Sequence, residues 1–343
     1  MNKRAVRADI LLLLTAGIWG FGFVAQRSGM QYVGPFTYNA IRFILGSVSL
    51  IPLILYFKNR RAKHPENSEH PENPENTGAK NPAGTAFFST FLAGSLLFIA
   101  VVLQQLGIMF TTVGNAGFIT GLYVVLTPIF GIALGKKTGV PTWIGALFTL
   151  GGLYFLSAAG RMNRINPGDL LTIISAVFWS FHVLLIDRLV QKTDPLILSS
   201  GQFAWCGLYT LAAALLFEPA VPSWASFIAP GFPLQAWHSL SEFAAALSGR
   251  ITLEGFSLAS ALVPILYGSL ASVGIAYTLQ VVAQKDAPPA HATIILCLEG
   301  CFAALGGVII LGEPLGPWTI LGFMLMLLGM LITQWEVIRG SGQ

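Results

Sequence analysis

Residues 288–311 read PPAHATIILCLEGCFAALGGVIIL, an apolar run of bilayer length with a single acid, Glu299, near its middle. A bilayer core about 30 Å thick is crossed by roughly 20 apolar residues of helix. Lipid offers the backbone no hydrogen-bond partners, so such a segment satisfies its own. A charged carboxylate at the centre of that helix costs about 3 kcal/mol, which makes Glu299 a candidate functional residue.

Nine other runs meet the same criterion, at residues 10–26, 36–57, 86–110, 116–134, 140–160, 170–186, 196–217, 256–283 and 315–335. The only formal charges inside the ten are Arg42 and Glu299. With 54% hydrophobic and 10% charged residues and a mean hydropathy of +0.70, the chain is too apolar for a soluble core to hide its surface. It is expected to be an all-α, polytopic membrane protein with ten transmembrane helices. The three cysteines, Cys206, Cys297 and Cys301, fall within apolar runs and read as small hydrophobes instead of a disulfide framework.

Cations set the orientation, because short cytoplasmic loops carry an excess of Lys and Arg. Counting loops alternately puts Lys3, Arg4, Arg7, Lys58, Arg60, Arg61, Lys63, Lys80, Lys136, Lys137, Arg188, Lys192, Lys285 and Arg339 on one side. Only Arg27, Arg161, Arg164 and Arg250 fall on the other. Both termini are expected in the cytoplasm, with the first run retained as a helix and not cleaved as a signal. The cations sit in short loops and not on one face, so no nucleic-acid partner is expected.

The connector 58–85 contains HPENSEHPENPEN, a low-complexity tract that cannot bury a core and reads as a disordered cytoplasmic loop. Its His64 and His70 are weak grounds for a metal site. The extracytoplasmic segment 218–255 carries Trp237, Leu240, Ala244 and Leu247 at helical spacing, as an interfacial helix or a lid over an opening would.

Residues 9–43 lie over residues 169–203 without gaps, pairing Asp9 with Asp169, Trp19 with Trp179, Pro35 with Pro195 and Phe43 with Phe203. Later Leu126 pairs with Leu298, Thr127 with Glu299, Pro128 with Gly300 and Gly152 with Gly329. Two five-helix halves follow, 1–160 and 167–336. Because five is odd, the second enters the membrane from the opposite side, the inverted repeat of secondary transporters. The spacings Gly117 to Gly121, Gly131 to Gly135 and Ala303 to Gly307 suggest close helix approach.

AGIWGFGFVAQR in the first helix, its echo AVFWSFHVLL in the sixth, VGNAGFITGLYVVLTP, and LEGCFAALGGVIILGEPL followed by WTILGFMLMLLG together resemble the drug/metabolite transporter superfamily, in particular its ten-helix EamA-type members. The resemblance covers nearly the whole chain. It implies an all-helical carrier of two inverted repeats that moves small metabolites, usually outward, across a bacterial inner membrane. The chain departs from the family pattern at Leu298-Glu299-Gly300, where the family commonly has Leu-Glu-Pro. Glycine permits an irregular helix by flexibility, proline by a missing donor.

Glu299 is the first site candidate, either pairing with a cationic substrate group or taking up a proton; the alternative is a buried acid satisfied by neighbours or by Arg42. On a straight helix His291, Ile295, Glu299, Phe302 and Gly306 share one face, with Cys297 and Cys301 opposite. His291, at the cytoplasmic mouth, suits a gate, a proton relay or a solvated interfacial histidine. Trp19 and Trp179 are symmetric twins too deep for an interfacial belt and could sandwich a substrate or simply pack. His182 shares the Trp179 face, and Gln105, Asn115, Tyr123, Tyr277 and Gln280 add polar groups on helices three, four and eight. Arg42 lies about two turns from the helix end, close enough to snorkel as an anchor. Asp9 and Asp169 read as helix caps.

No H-E-x-x-H, G-x-S-x-G or G-x-x-x-x-G-K-[ST] pattern occurs, so no enzyme, cofactor or metal is expected. The function predicted is a secondary active transporter for a small metabolite, amino acid or drug-like compound, working by alternating access, an efflux carrier with protons as coupling ion. A channel or receptor-like protein is the alternative, an intramembrane enzyme a remoter one. Neither substrate identity nor oligomeric state is legible.

Overall fold

The computed structural model describes residues 3–30, 32–63, 82–110, 113–157, 167–218, 258–311 and 316–340. The PEN tract with His64 and His70, and the segment bearing Trp237, Leu240, Ala244 and Leu247, lie outside the described residues. The helices are α1 (Lys3–Gly29), α2 (Pro35–Lys63), α3 (Pro82–Phe110), α4 (Val113–Gly121), α5 (Tyr123–Ala133), α6 (Val140–Ser157), α7 (Pro167–Leu189) and α8 (Pro195–Phe217). They continue with α9 (Leu258–Leu266), a π-helical segment (Tyr267–Tyr277), α10 (Thr278–Ala283), α11 (Pro289–Leu296), α12 (Glu299–Leu311) and α13 (Pro317–Gly340). Residues 58–63 and 82–85, expected in the loop, are helical.

Proline opens α2, α3, α7, α8, α11 and α13. Its fixed φ suits the first helical position, where a missing N–H costs nothing. Among the described residues, seven helical spans are long and apolar enough to cross a membrane, and three shorter apolar ones, Ile119–Ala133, Val140–Phe155 and Ile320–Thr333, complete the ten crossings. Large apolar side chains stand open around the bundle, Val263 at 76% exposure and Ile309 at 72%. A water-facing protein would hide such a surface, and lipid covers it.

Packing follows an exchange of halves. α1 packs along α9 to α10 and along α11 and α12, and its twin α7 packs along α3 and along α4 and α5. On the symmetry axis α2 meets its twin α8, and α6 meets its twin α13. Within a half, α2 barely touches α3, so each half is held chiefly by the other. Three of the loops expected on one side lie together: Lys136 pairs with Asp187, and Gln191 Nε2 donates to Lys285 O.

At the other end the halves differ. Asp194 caps α8 in the ordinary way, accepting at Oδ1 from Leu196 N at 2.9 Å. Its twin before α2 is Gly34, which has no side chain, and Glu218 from the end of α8 fills that space. Glu218 accepts from Phe36 N at 2.6 Å, from Thr37 N at 3.0 Å and from the Thr37 hydroxyl. A carboxylate of one half thus caps a helix of the other.

Burial holds the Glu218 carboxyl above its ordinary range, opposed by these hydrogen bonds. Its contribution to stability is therefore complete below the unfolded carboxylate value and is lost as pH rises through the raised folded one. We expect Glu218→Ala to cost about 1–2 kcal/mol, read as a lower Tm in detergent. Glu218→Gln should match the native protein at acid pH and exceed it above the raised value; a difference that does not change with pH would contradict the assignment.

Candidate functional site

The fourth and ninth crossings are both broken. In the ninth, Cys297 and Leu298 form a turn between α11 and α12. Leu298 N donates to Ile295 O and Gly300 N to Cys297 O, three residues back instead of four. The interruption therefore arises at Leu298-Glu299-Gly300 without the family's proline. In the fourth, Leu122 separates α4 from α5 and donates to Ile119 O. Transporters place binding sites at such discontinuities, where backbone and polar groups can face a cavity. Here the two breaks meet: Tyr123, first residue of α5, holds its hydroxyl 3.5 Å from Glu299 Oε1, a long hydrogen bond that it donates.

Glu299 lines a contracted central cavity of about 30 Å³, roughly one water, with Trp19, Trp179, Tyr123, Tyr277 and Gln280 also on its walls. The aromatic rings touch one another. Trp19 and Tyr277 lie 4.5 Å apart between centroids, Trp179 and Tyr277 6.0 Å, and Trp19 and Trp179 6.4 Å. No ring fits between the two tryptophans in this arrangement.

The π-helical segment explains how Trp19 is aimed. Wide π turns are rare and frequently lie at functional sites. Trp19 Nε1 donates to Ser272 O at 3.2 Å, and Thr15 Oγ1, one turn earlier, donates to Ala276 O at 3.1 Å. α1 is thereby stitched to the eighth crossing on one face.

Several expected positions shift. Gln105 is buried but does not line the cavity, and Gln104 does, donating to Thr120 Oγ1 at 3.1 Å. Neighbouring residues on a helix point about 100° apart, so the sequence placed the amide on the right helix and the wrong face. His182 lies behind Trp179, 5.7 Å from its ring, and bonds Gln202 Oε1 at 2.9 Å, away from the cavity. The side chain of Asn115 lies outside the described residues. Arg42 does not snorkel: it is 2% exposed and lines the cavity, with its guanidinium against the Phe43 and Tyr38 rings.

His291 is neither solvated nor at the cavity. It is buried, with Nε2 2.7 Å from Asp9 Oδ1. Asp9 is therefore not a cap, since α1 starts at Lys3; it ties α1 to α11. Asp169 does lie in the first turn of α7. The expected face of the ninth crossing is kept across its break: Phe302 and Gly306 lie on α1, whereas Cys297 points to Gly121 and Cys301 to Met326.

A second cavity of about 380 Å³ opens at the lysine-bearing end, between Thr127, Lys136, Asp187, Lys285 and Pro288. Thr127, twin of Glu299, thus faces this vestibule. Gly135, at φ +81°, ends α5 there in a Schellman turn: Lys136 N donates to Gly131 O and Gly135 N to Ile132 O. The turn delivers Lys136 to Asp187. Between vestibule and central cavity lie Gln280 and Gln284, with Gln280 Nε2 donating to Gln284 Oε1 at 3.0 Å and Gln284 Nε2 to Val183 O at 3.0 Å. This amide pair stands between the two cavities.

A model of the EamA-like transporter family matches residues 6–158 and, separately, 166–335. An uncharacterised transporter of Archaeoglobus fulgidus is 26% identical over 96% of this chain and 86% of its own length. Human solute carrier family 35 member F6 is 22% identical over 61% of this chain and 60% of its own. A solved crystal structure superposes with a TM-score of 0.68 over 97% of this chain and 98% of the other, at 16% identity; at that identity the likeness is one of fold.

Proposed function

The chain belongs to the EamA-like transporter family, and from that premise we propose that it is a carrier that exports a small solute from the cytoplasm by alternating access, using Glu299 as its exchange group. The observation that carries this reading is the buried Glu299 at the junction of two broken helices, on the wall of a cavity separated from a vestibule by one pair of glutamines. The lysine-bearing end is assigned to the cytoplasm by the excess of cations there. Solute would enter the vestibule, displace the Gln280–Gln284 contact and part the tryptophans.

A single carboxylate can hold a proton or a solute's cationic group but not both. Release of the solute outside, followed by protonation of Glu299 and return of the protonated carrier, makes proton entry drive solute exit. Interlocked, pseudo-symmetric halves support this cycle, since the same two packings exchanged between halves give two states of similar energy.

Purified protein in proteoliposomes loaded with unlabelled metabolite extract should accumulate labelled extract components by counterflow, and the flux should saturate. Flux that rises linearly with concentration and is not stimulated from the far side would indicate a channel and overturn the proposal.

A further inference from the structure

The second charge on the cavity wall has no acidic partner among the described residues. Arg42 is 2% exposed, and its Nε and Nη1 have no hydrogen-bond partner. Its guanidinium lies 4.8 Å from the centre of the Phe43 ring and 5.8 Å from that of Tyr38, with Tyr277 and Cys206 nearby. None of these neighbours is a carboxylate. Glu299 lines the same cavity, yet no ion pair joins it to Arg42.

The internal repeat shows what is missing. The twin of Arg42 is Gln202, whose Oε1 bonds His182 Nε2 at 2.9 Å, and the twin of His182 is Gly22. Packing does not require that glycine, because a Cβ there would stand 3.6 Å from Ser272 Oγ, an ordinary contact. One half therefore holds a side-chain pair, and the other an arginine whose corresponding partner position carries no side chain.

A buried arginine without a counter-charge is costly, and its planar fork matches a carboxylate in two parallel hydrogen bonds. A solute that is only anionic would meet Glu299, and one that is only cationic would meet Arg42. A neutral solute would leave both charges unpaired. We propose that Arg42 is the anion-binding residue of this cavity and that the substrate is a zwitterion, its carboxylate on Arg42, its ammonium on Glu299 and its apolar side chain against Trp19, Trp179 and Tyr277. The inference rests on the carrier reading above and adds the substrate class.

The test uses counterflow of phenylalanine and leucine in proteoliposomes, beside phenylalaninamide, which lacks the carboxylate, and N-acetylphenylalanine, which lacks the ammonium. At least one amino acid should move, and both derivatives should fall by about 100-fold, the loss of one charge-assisted hydrogen-bonded group. Arg42→Gln should lose amino-acid flux, and Arg42→Lys should keep part of it. Should Arg42→Gln fail to fold, the derivative series on the native protein still decides. Equal flux of either derivative, or native flux in Arg42→Gln, overturns the assignment. If neither amino acid moves but labelled metabolite extract does, the carrier stands and the zwitterion falls; if nothing moves, the carrier reading falls as well.

Discussion

Glu299→Gln is expected to lower counterflow by about 100-fold while leaving the Tm of the purified protein at or slightly above its native value. Glutamine has the same shape and keeps a carbonyl oxygen to accept from the Tyr123 hydroxyl, which stands 3.5 Å from Oε1. What it loses is the capacity to hold a cationic group and to exchange it for a proton. It also removes the cost of a charge in a buried site, so a purely structural acid would leave flux intact and stability unchanged or improved. An imposed proton gradient should accelerate solute exit from native vesicles and leave those with Glu299→Gln unaffected. Undiminished flux with the same response to the gradient would reduce Glu299 to a packing residue. Tyr123→Phe removes one long neutral donor and should cost only a few-fold, about the worth of a single weak hydrogen bond.

The ten crossings and their inverted arrangement were legible because lipid imposes a length on each apolar run, and because twin residues such as Trp19 and Trp179 keep their spacing without gaps. Glu299 was legible from its depth alone. What the linear chain does not carry is rotation about each helix axis. Gln104 and Gln105 are equally polar and adjacent, and only the packing of α3 on α7 and α8 decides which faces inward. Arg42 looked near enough to a helix end to reach water, and only tertiary packing turns its guanidinium onto Phe43 and Tyr38 at the cavity. The Asp9–His291 pair joins residues 282 positions apart, and no local pattern announces it. The π turn of the eighth crossing depends on donors from another helix, Thr15 and Trp19, so its own residues give no sign of it.

The glycines show the same limit and give the second large prediction. Gly117 to Gly121 and Gly131 to Gly135 have the spacing of a close helix contact, yet a Cβ on Gly117 or Gly135 would meet nothing within 4 Å. Gly121 meets the end of the Leu153 side chain, which can move, whereas backbone comes close at Gly20 on α1, where a Cβ would lie 2.7 Å from Glu299 O and 2.7 Å from Ala303 N. Both are backbone atoms beside the helix break, so no side chain can swing away to make room. Gly20→Val must push α1 off α12, and we expect it to cost about 3 kcal/mol, the upper range for overpacking, with a matching fall in Tm. Because α1 also carries Trp19 to the cavity and α12 begins at Glu299, the same displacement separates the two groups that define the site, and flux should fall further than stability. Gly117→Ala, buried but without near neighbours, is the paired control and should leave both unchanged. A Gly20→Val protein with native Tm and native flux would mean that α1 and α12 stand farther apart than described and that the contact beneath Glu299 does not hold the site.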